Sequence, residues 1–165
     1  MISALGLDLG HRRIGVAGCD RTGLIATGLT TIHRTTFVQD TAQLQHWVQE
    51  RQVEILVAGL PYNMDGQVGK QARRTQKLAR RFAAALQLPL EYMDERLTSY
   101  EAELMMQAEH ISPSENKGMV DRKAAALILQ QWLDQKRQQP PSHEKIAPEQ
   151  ASIGTLKAKE HGNGK

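Results

Sequence analysis

Apolar residues alternate with small or polar residues through the first third of the chain, a pattern typical of strands in a half-buried sheet. Three such segments occur, at Ile2–Leu9, Arg13–Cys19 and Leu24–Ile32. Asp20–Gly23 is a turn sequence between the second and third segments, and the link between the first and second is also short. The sequence therefore predicts an antiparallel meander of three strands.

Further along the chain, short apolar runs alternate with segments of helical periodicity, which indicates parallel strands joined by crossover helices. The predicted strands are Glu54–Leu60 and Leu90–Glu95, and the predicted helices are Val38–Arg51, Lys70–Leu86, Thr98–Glu109 and Val120–Lys136. Right-handed crossovers place the later strands beside the first one. We therefore expect an α/β fold: a five-stranded mixed sheet in the order 3-2-1-4-5 with helices on both faces.

A chain of 165 residues has the length of one domain, which the pattern assigns to residues 1–137. Residues 138–165 contain adjacent prolines, scattered charges and few large apolar residues, so a disordered tail is predicted there. The single cysteine excludes an intramolecular disulfide, and no apolar run approaches the roughly 18 residues that cross a bilayer. Because the N-terminus also lacks the features of a signal peptide, we expect a cytoplasmic protein without membrane association.

The first candidate for chemistry is Asp8, a carboxylate in an otherwise apolar strand between Gly6 and Gly10. A buried charge without a partner is costly, so Asp8 needs an ion pair or a ligand. The flanking glycines leave room for a ligand or a second backbone to approach. An ion pair with Arg13 is the alternative, and it explains the charge but not the glycines.

A second pair of acids, Asp94 and Glu95, ends the last predicted strand. The carboxyl ends of strands form the ligand crevice of an open α/β sheet, so acids are well placed there. Side chains alternate along a strand, so only one of the two can face Asp8. The other is then a cap or an arginine partner, and a solvated strand end without function is the alternative for both.

A third acid, Asp121, lies at the predicted start of the last helix, where the helix dipole alone would justify it. The predicted sheet nevertheless brings Asp8, the end of the last strand and Asp121 to one rim. Three carboxylates without histidine or cysteine suit Mg²⁺ or Mn²⁺.

The helix predicted from Lys70 carries basic residues on one face and no acid. The basic residues are Lys70, Arg73, Arg74, Lys77, Arg80 and Arg81. Neighbouring like charges repel along a helix, a cost that bound phosphates would remove. A solvated face is the alternative, although such a face normally mixes signs. Aromatic residues make up only 4% of the chain, which argues against stacking of single-stranded bases.

Four motifs, in order, resemble the YqgF family, also called RuvX. They are DLGHRRIGVA at 8–17, GLP at 59–61 with NMDG at 63–66, DERLT at 94–98, and KGMVD at 117–121 with alanines at 124 and 125. The resemblance covers about residues 1–137 and implies an RNase H-like fold, that of the Holliday junction resolvase RuvC. It maps the acidic residues of the family onto Asp8, Glu95 and Asp121, with Asp94 as the alternative to Glu95. The fourth strand lacks the acid found in the wider superfamily, which leaves the number of metal ions open.

The residues and the resemblance together lead to the hypothesis of a metal-dependent endonuclease that cleaves structured nucleic acid, RNA in preference to DNA. The resemblance further implies that it acts at the 5′ end of pre-16S rRNA. Asp8, Glu95 and Asp121 would be catalytic and would hold one or two ions of Mg²⁺ or Mn²⁺. The basic helix would bind flanking phosphates, and the protein would act as a monomer or homodimer.

Three alternatives stay open, of which the last two belong to other classes of function. One is a Holliday junction resolvase in DNA recombination and repair. Another is a nucleic-acid-binding ribosome-assembly factor without catalysis. The third is a nucleotide-binding relative of the sugar kinase and actin group, which would require two such domains.

Overall fold

The computed structural model describes residues 2–63, 65–95 and 98–139. Within these ranges the strands are β1 (Ala4–Leu9), β2 (Arg13–Cys19), β3 (Ala26–His33), β4 (Ile55–Leu60) and β5 (Leu90–Asp94). The helices there are α1 (Phe37–Arg51), α2 (Lys70–Leu86), α3 (Thr98–Ala108) and α4 (Lys117–Gln138). The chain up to Gln135 forms one compact unit. The predicted disordered tail, 138–165, lies outside the described residues from 140 onward and stays a prediction.

The strands form one mixed sheet in the order β3-β2-β1-β4-β5, which confirms the predicted fold class. β1 and β3 run antiparallel to β2, whereas β1, β4 and β5 are parallel to one another. In β1, Leu5 is the partner of Leu56 in β4, and Asp8 is the partner of Gly15 in β2. The carboxyl ends of the three parallel strands therefore lie at the same rim of the sheet.

Side chains alternate along each strand and so project on both faces of the sheet. Helices cover both faces. Leu5 and Leu7 of β1 pack in a cluster with residues of α1 and α2. Ala4 packs instead in a second cluster, on the opposite face, formed with residues of α4. Asp8 follows the alternation of Ala4, so its side chain projects on the face covered by α4.

Local signals in the sequence explain how α1 begins and ends. The Thr36 hydroxyl caps the helix by accepting a hydrogen bond from the Gln39 amide at 3.1 Å. Gln52 closes it in the left-handed conformation, with φ of 51°, and the Val53 amide then donates to the Val48 carbonyl.

The amphipathic pattern predicted for α2 is confirmed. The predicted apolar side is buried, at Ala72, Ala79, Phe82, Ala83 and Leu86, and the basic residues of the helix are exposed. Within the described ranges, no helix has the length and apolar character that crossing a bilayer requires.

Several predicted boundaries differ from the observed ones by one to three residues, and two of these differences have a local explanation. The third strand begins at Ala26 rather than Leu24, because the Leu24 and Ile25 amides both donate to the Asp20 carboxylate and belong to the turn. The last helix begins at Lys117 rather than Val120, because the Asn116 carbonyl accepts from the Met119 and Val120 amides. Asp121 therefore lies beyond the first turn of α4, and the helix dipole no longer accounts for it.

Candidate active site

The candidate site lies at the rim where β1 and β5 end, on the face covered by α4. Asp8 is the penultimate residue of β1, and Glu95 directly follows β5. The Glu95 amide donates to the Leu60 carbonyl at 3.1 Å, which continues the β4–β5 pairing by one residue and fixes the Glu95 backbone.

Gly59 of β4 allows Asp8 and Glu95 to meet, although β4 separates their strands. A Cβ atom at Gly59 would lie 2.4 Å from Oε2 of Glu95 and 2.5 Å from Cδ1 of Ile128. The Glu95 side chain thus occupies the space above β4 that a side chain at position 59 would fill. In place of an acid on the fourth strand, this protein has a glycine over which Glu95 reaches toward β1.

The carboxyl groups of Asp8 and Glu95 are hydrogen-bonded to each other. Burial, followed by the negative charge of Asp121, raises the pKa of Asp8 to about 6. Burial, followed by the negative charge of Asp8, raises the pKa of Glu95 to about 8. Near neutral pH the two carboxyl groups together therefore retain one proton.

Asp121 is the third acid at this rim, and its partner is Arg13 of β2. The Arg13 Nε donates to the Asp121 Oδ2 at 2.6 Å. The positive charge of Arg13 also lowers the pKa of Asp8. From the sequence, the alternative for Asp8 is an ion pair with Arg13. Arg13 does lie at this site, but it forms its ion pair with Asp121 rather than with Asp8.

The position of Asp121 depends on Gly15 in β2. A Cβ atom at Gly15 would lie 2.0 Å from the backbone oxygen of Asp121. The absence of a side chain there lets α4 contact the sheet backbone opposite Asp8, with which Gly15 is paired. Arg13, Gly15 and Gly59 were not among the predicted site residues, although the motif at 8–17 contains the first two.

Asp94 lies on the other side of β5 from Glu95, as strand alternation predicts, and its side chain is exposed. Its negative charge contributes the smallest of the effects that raise the pKa of Glu95. The structure therefore brings together Asp8, Glu95 and Asp121 and leaves Asp94 outside the contact.

The carboxylates fit a hard divalent cation in part. The two hydrogen-bonded carboxyl groups share a proton at a place where a cation would satisfy both. Asp121 is drawn toward Arg13, and no group of three or more Asp, Glu, His or Cys among the described residues is arranged to hold a metal ion. The ion pair with Arg13 engages Oδ2 of Asp121, so a cation that took that oxygen would have to displace Arg13.

The six predicted phosphate-binding residues are all exposed on α2, away from this cluster of acids. They divide into two groups. Arg74, Lys77 and Arg81 line a cavity together with Gly10, whereas Lys70, Arg73 and Arg80 do not line it.

A sheet of this order, with acids at the carboxyl rim of its parallel strands, is the framework of an RNase H-like nuclease. Two resolvase structures share the fold. Thermus thermophilus RuvC bound to a Holliday junction substrate superposes with a TM-score of 0.52 at 12% identity, covering 84% of this chain and 97% of RuvC. The Fowlpox virus resolvase, also bound to Holliday junction DNA, gives 0.50 at 6% identity, covering 82% and 99%.

The chain belongs to the RuvX family, whose model is described as Holliday junction resolvase and matches residues 2–135. A protein of Acaryochloris marina is 70% identical over 135 residues, which are 82% of this chain and 94% of the relative. One of Trichormus variabilis is 68% identical over 136 residues, 82% and 90% respectively. Both carry the description "Putative pre-16S rRNA nuclease". The predicted family, fold and enzyme class, a nuclease acting on ester bonds, are confirmed.

Proposed function

We propose that this protein hydrolyses phosphodiester bonds of structured RNA in the cytoplasm and matures the 5′ end of pre-16S rRNA. The observation that carries the proposal is the contact between Asp8 and Glu95. Burial raises the pKa of both acids at a ligand-binding rim, and Asp8 raises that of Glu95 further. Such an arrangement is unfavourable for folding alone, which is typical of a functional site.

Asp8 and Glu95 would hold one or two ions of Mg²⁺ or Mn²⁺, with Asp121 joining them after its release from Arg13. A divalent ion bound there supplies a water of lowered pKa and neutralises charge on the scissile phosphate and the leaving oxygen.

Other residues of the chain would give the substrate a path to the acids and positive charge for its phosphates. Arg13 and Asp121 line an open cavity of about 560 Å³ together with Lys117. This space would admit a strand of nucleic acid to the acids. Arg13, once it leaves Asp121, would place its guanidinium toward a phosphate of that strand, a geometry that arginine suits. On the exposed basic face of α2, Arg74, Lys77 and Arg81 would contact a phosphate of the substrate strand outside the cluster of acids.

The names of the relatives favour RNA as the substrate, because both are described as nucleases of pre-16S rRNA. A four-way DNA junction is the second candidate, on the strength of the family description. Either substrate is a structured nucleic acid, and the same three acids would act on it.

The test compares two labelled substrates with purified full-length protein: an RNA that spans the precursor 5′ end of 16S rRNA, and a four-way DNA junction. Each is incubated with Mg²⁺, Mn²⁺ or EDTA. We expect metal-dependent cleavage of the RNA. Asp8→Asn and Glu95→Gln should each reduce the cleavage rate by at least about a hundredfold, on the order of 3 kcal/mol of lost transition-state stabilisation.

Asp94→Asn is the matched control, since it neutralises the adjacent acid on the other face of the strand. It should retain most of the activity. Cleavage of the junction but not the RNA would replace the first substrate with the second. Full activity of a folded Asp8→Asn variant would overturn the assignment of the acids.

A further inference from the structure

A second cavity opens at the same rim of the sheet but on the opposite face, beneath α2. Its volume is about 320 Å³, and its wall begins at Leu9 and Gly10, directly after Asp8. Because side chains alternate, Leu9 faces this cavity while Asp8 faces the acids on the α4 side. The two sites are therefore separated only by the end of β1.

Basic side chains dominate the lining of this cavity. They are His11, Arg34, Arg74, Lys77 and Arg81, and no Asp or Glu lines it. Among the described residues, none of these five forms an ion pair. The three arginines and Lys77 carry like charges that repel one another, and an anion would remove that cost.

Two of the arginines are held in place by contacts that leave their charge unneutralised. The Arg34 Nη1 donates to the Gly10 carbonyl at 2.9 Å, which ties β3 to the loop after Asp8. The guanidinium of Arg81 stacks 4.0 Å above the centre of the Phe37 ring. Ordering these side chains in advance lowers the entropic cost of binding an anion.

We propose that this cavity binds a backbone phosphate of the substrate strand next to the scissile one. The inference rests on the proposed function, since it takes the substrate to be a nucleic acid. A strand that crosses the end of β1 would place one phosphate at Asp8 and Glu95 and a neighbouring phosphate between Arg34 and α2. The cavity thus fixes the register of the strand on the enzyme without reading its sequence.

The six basic residues of α2 offer a matched comparison. Arg74→Gln with Lys77→Gln removes one arginine and one lysine that line the cavity. Lys70→Gln with Arg73→Gln removes the same residue types from the same helix outside it. All four side chains are exposed, so both double variants should fold, which thermal melting checks.

Binding of the labelled precursor RNA is measured by fluorescence anisotropy in EDTA, so that the result does not depend on cleavage. The cavity pair should weaken binding roughly tenfold near physiological salt, and the slope of log K against log salt should flatten by about 0.7–0.9 for each lost contact. The control pair should change affinity by less than about twofold, with an unaltered slope. Equal effects of the two pairs, or no effect of either, would overturn the proposal.

Two further arms locate the bound phosphate. A single neutral methylphosphonate linkage is moved along the strand, and one position near the cleaved bond should weaken binding to wild type but not to the cavity pair. The RNA is also prepared in two forms, one with a 5′-phosphate and one with a 5′-hydroxyl. The cavity pair should lose the same affinity for both forms. A loss confined to the 5′-phosphorylated RNA would show a pocket for a terminal phosphate and would overturn the backbone assignment. If the wild type does not cleave but these binding differences are found, the proposed function fails. The assignment of the cavity as a binding site for a backbone phosphate then still holds.

Discussion

The Nε atom of Arg13 lies 2.6 Å from Oδ2 of Asp121, and the two side chains are only 25% and 18% exposed. Arg13 belongs to β2 and Asp121 to α4, so this contact joins the sheet to the helix beside the Asp8 carboxylate. Arg13 thus supplies positive charge beside the three acids. A divalent cation bound at the proposed site would compete with that arginine for Asp121.

Arg13→Gln should therefore strengthen binding of Mn²⁺. Glutamine removes a competing charge and releases Asp121, which we expect to lower the dissociation constant several-fold, on the order of 1 kcal/mol. Calorimetric titration of the full-length protein measures this directly. Arg12→Gln is the control, because Arg12 is adjacent and exposed, and it should leave the constant nearly unchanged. Weaker binding by Arg13→Gln would mean that Arg13 orients Asp121 for the ion.

The shared proton of Asp8 and Glu95 predicts how stability depends on pH. In the folded protein without metal, Glu95 keeps its proton up to a pKa of about 8, against an ordinary value of 4.5. Between these values the folded state binds more protons than the unfolded state, so the free energy of unfolding falls as the pH rises. The glutamine of Glu95→Gln does not titrate, so the free energy of unfolding of this variant should fall much less as the pH rises.

Urea unfolding in EDTA at pH 4, 6 and 8 tests this prediction. Glu95→Gln should be more stable than wild type at pH 8, on the order of 1–3 kcal/mol, and the difference should shrink toward pH 4. Asp94→Asn, on the exposed side of β5, should follow the wild-type profile. A constant offset between Glu95→Gln and wild type across the three pH values would contradict the shared proton.

Much of the fold follows from patterns that are local in the sequence. The alternation in β1 and β2, the apolar run of β4 and the periodicity of α2 each identify an element, and the handedness of crossovers then orders the sheet. The start of α4 does not follow in this way. Its first two residues, Lys117 and Gly118, have no apolar side chain, and a backbone acceptor at Asn116 begins the helix.

The site could be predicted in part for the same reason. Alternation separates Glu95 from Asp94, because it depends only on the strand. The contact of Arg13 with Asp121 joins residues 108 positions apart, and nothing local indicates which acid an arginine selects. In the sequence, Gly59 indicates only the end of a strand. The packing of Glu95 over it shows that the missing side chain makes room for the Glu95 carboxyl group.

Gly59→Ala should greatly reduce the cleavage rate while lowering the free energy of unfolding only modestly. The new Cβ atom would displace the carboxyl group of Glu95 and the end of Ile128. The Glu95 side chain is flexible, but Ile128 is fully buried and must shift within the core, so we expect a destabilisation of about 1–3 kcal/mol. The displaced Glu95 no longer meets Asp8, and cleavage should approach the level of Glu95→Gln. Gly118→Ala is the control, since its nearest neighbour is an ordinary 3.5 Å away at Thr31. Activity of Gly59→Ala close to wild type would show that Glu95 need not lie over β4.

The docking of α4 on the sheet can be tested with a graded series of glycine substitutions. At Gly118 a Cβ atom has room, and alanine should stabilise the helix by up to about 1 kcal/mol. At Gly28 it would lie 3.1 Å from the Cβ atom of Arg122, so a small shift is needed. At Gly15 it would lie 2.0 Å from the Asp121 backbone oxygen, which no rotamer change can relieve. Gly15→Ala should therefore push α4 from β2, cost at least about 2 kcal/mol, and carry Asp121 away from Arg13. Unfolding free energies that did not follow the order Gly118, Gly28, Gly15 would contradict this account of how the helix brings its acid to the site.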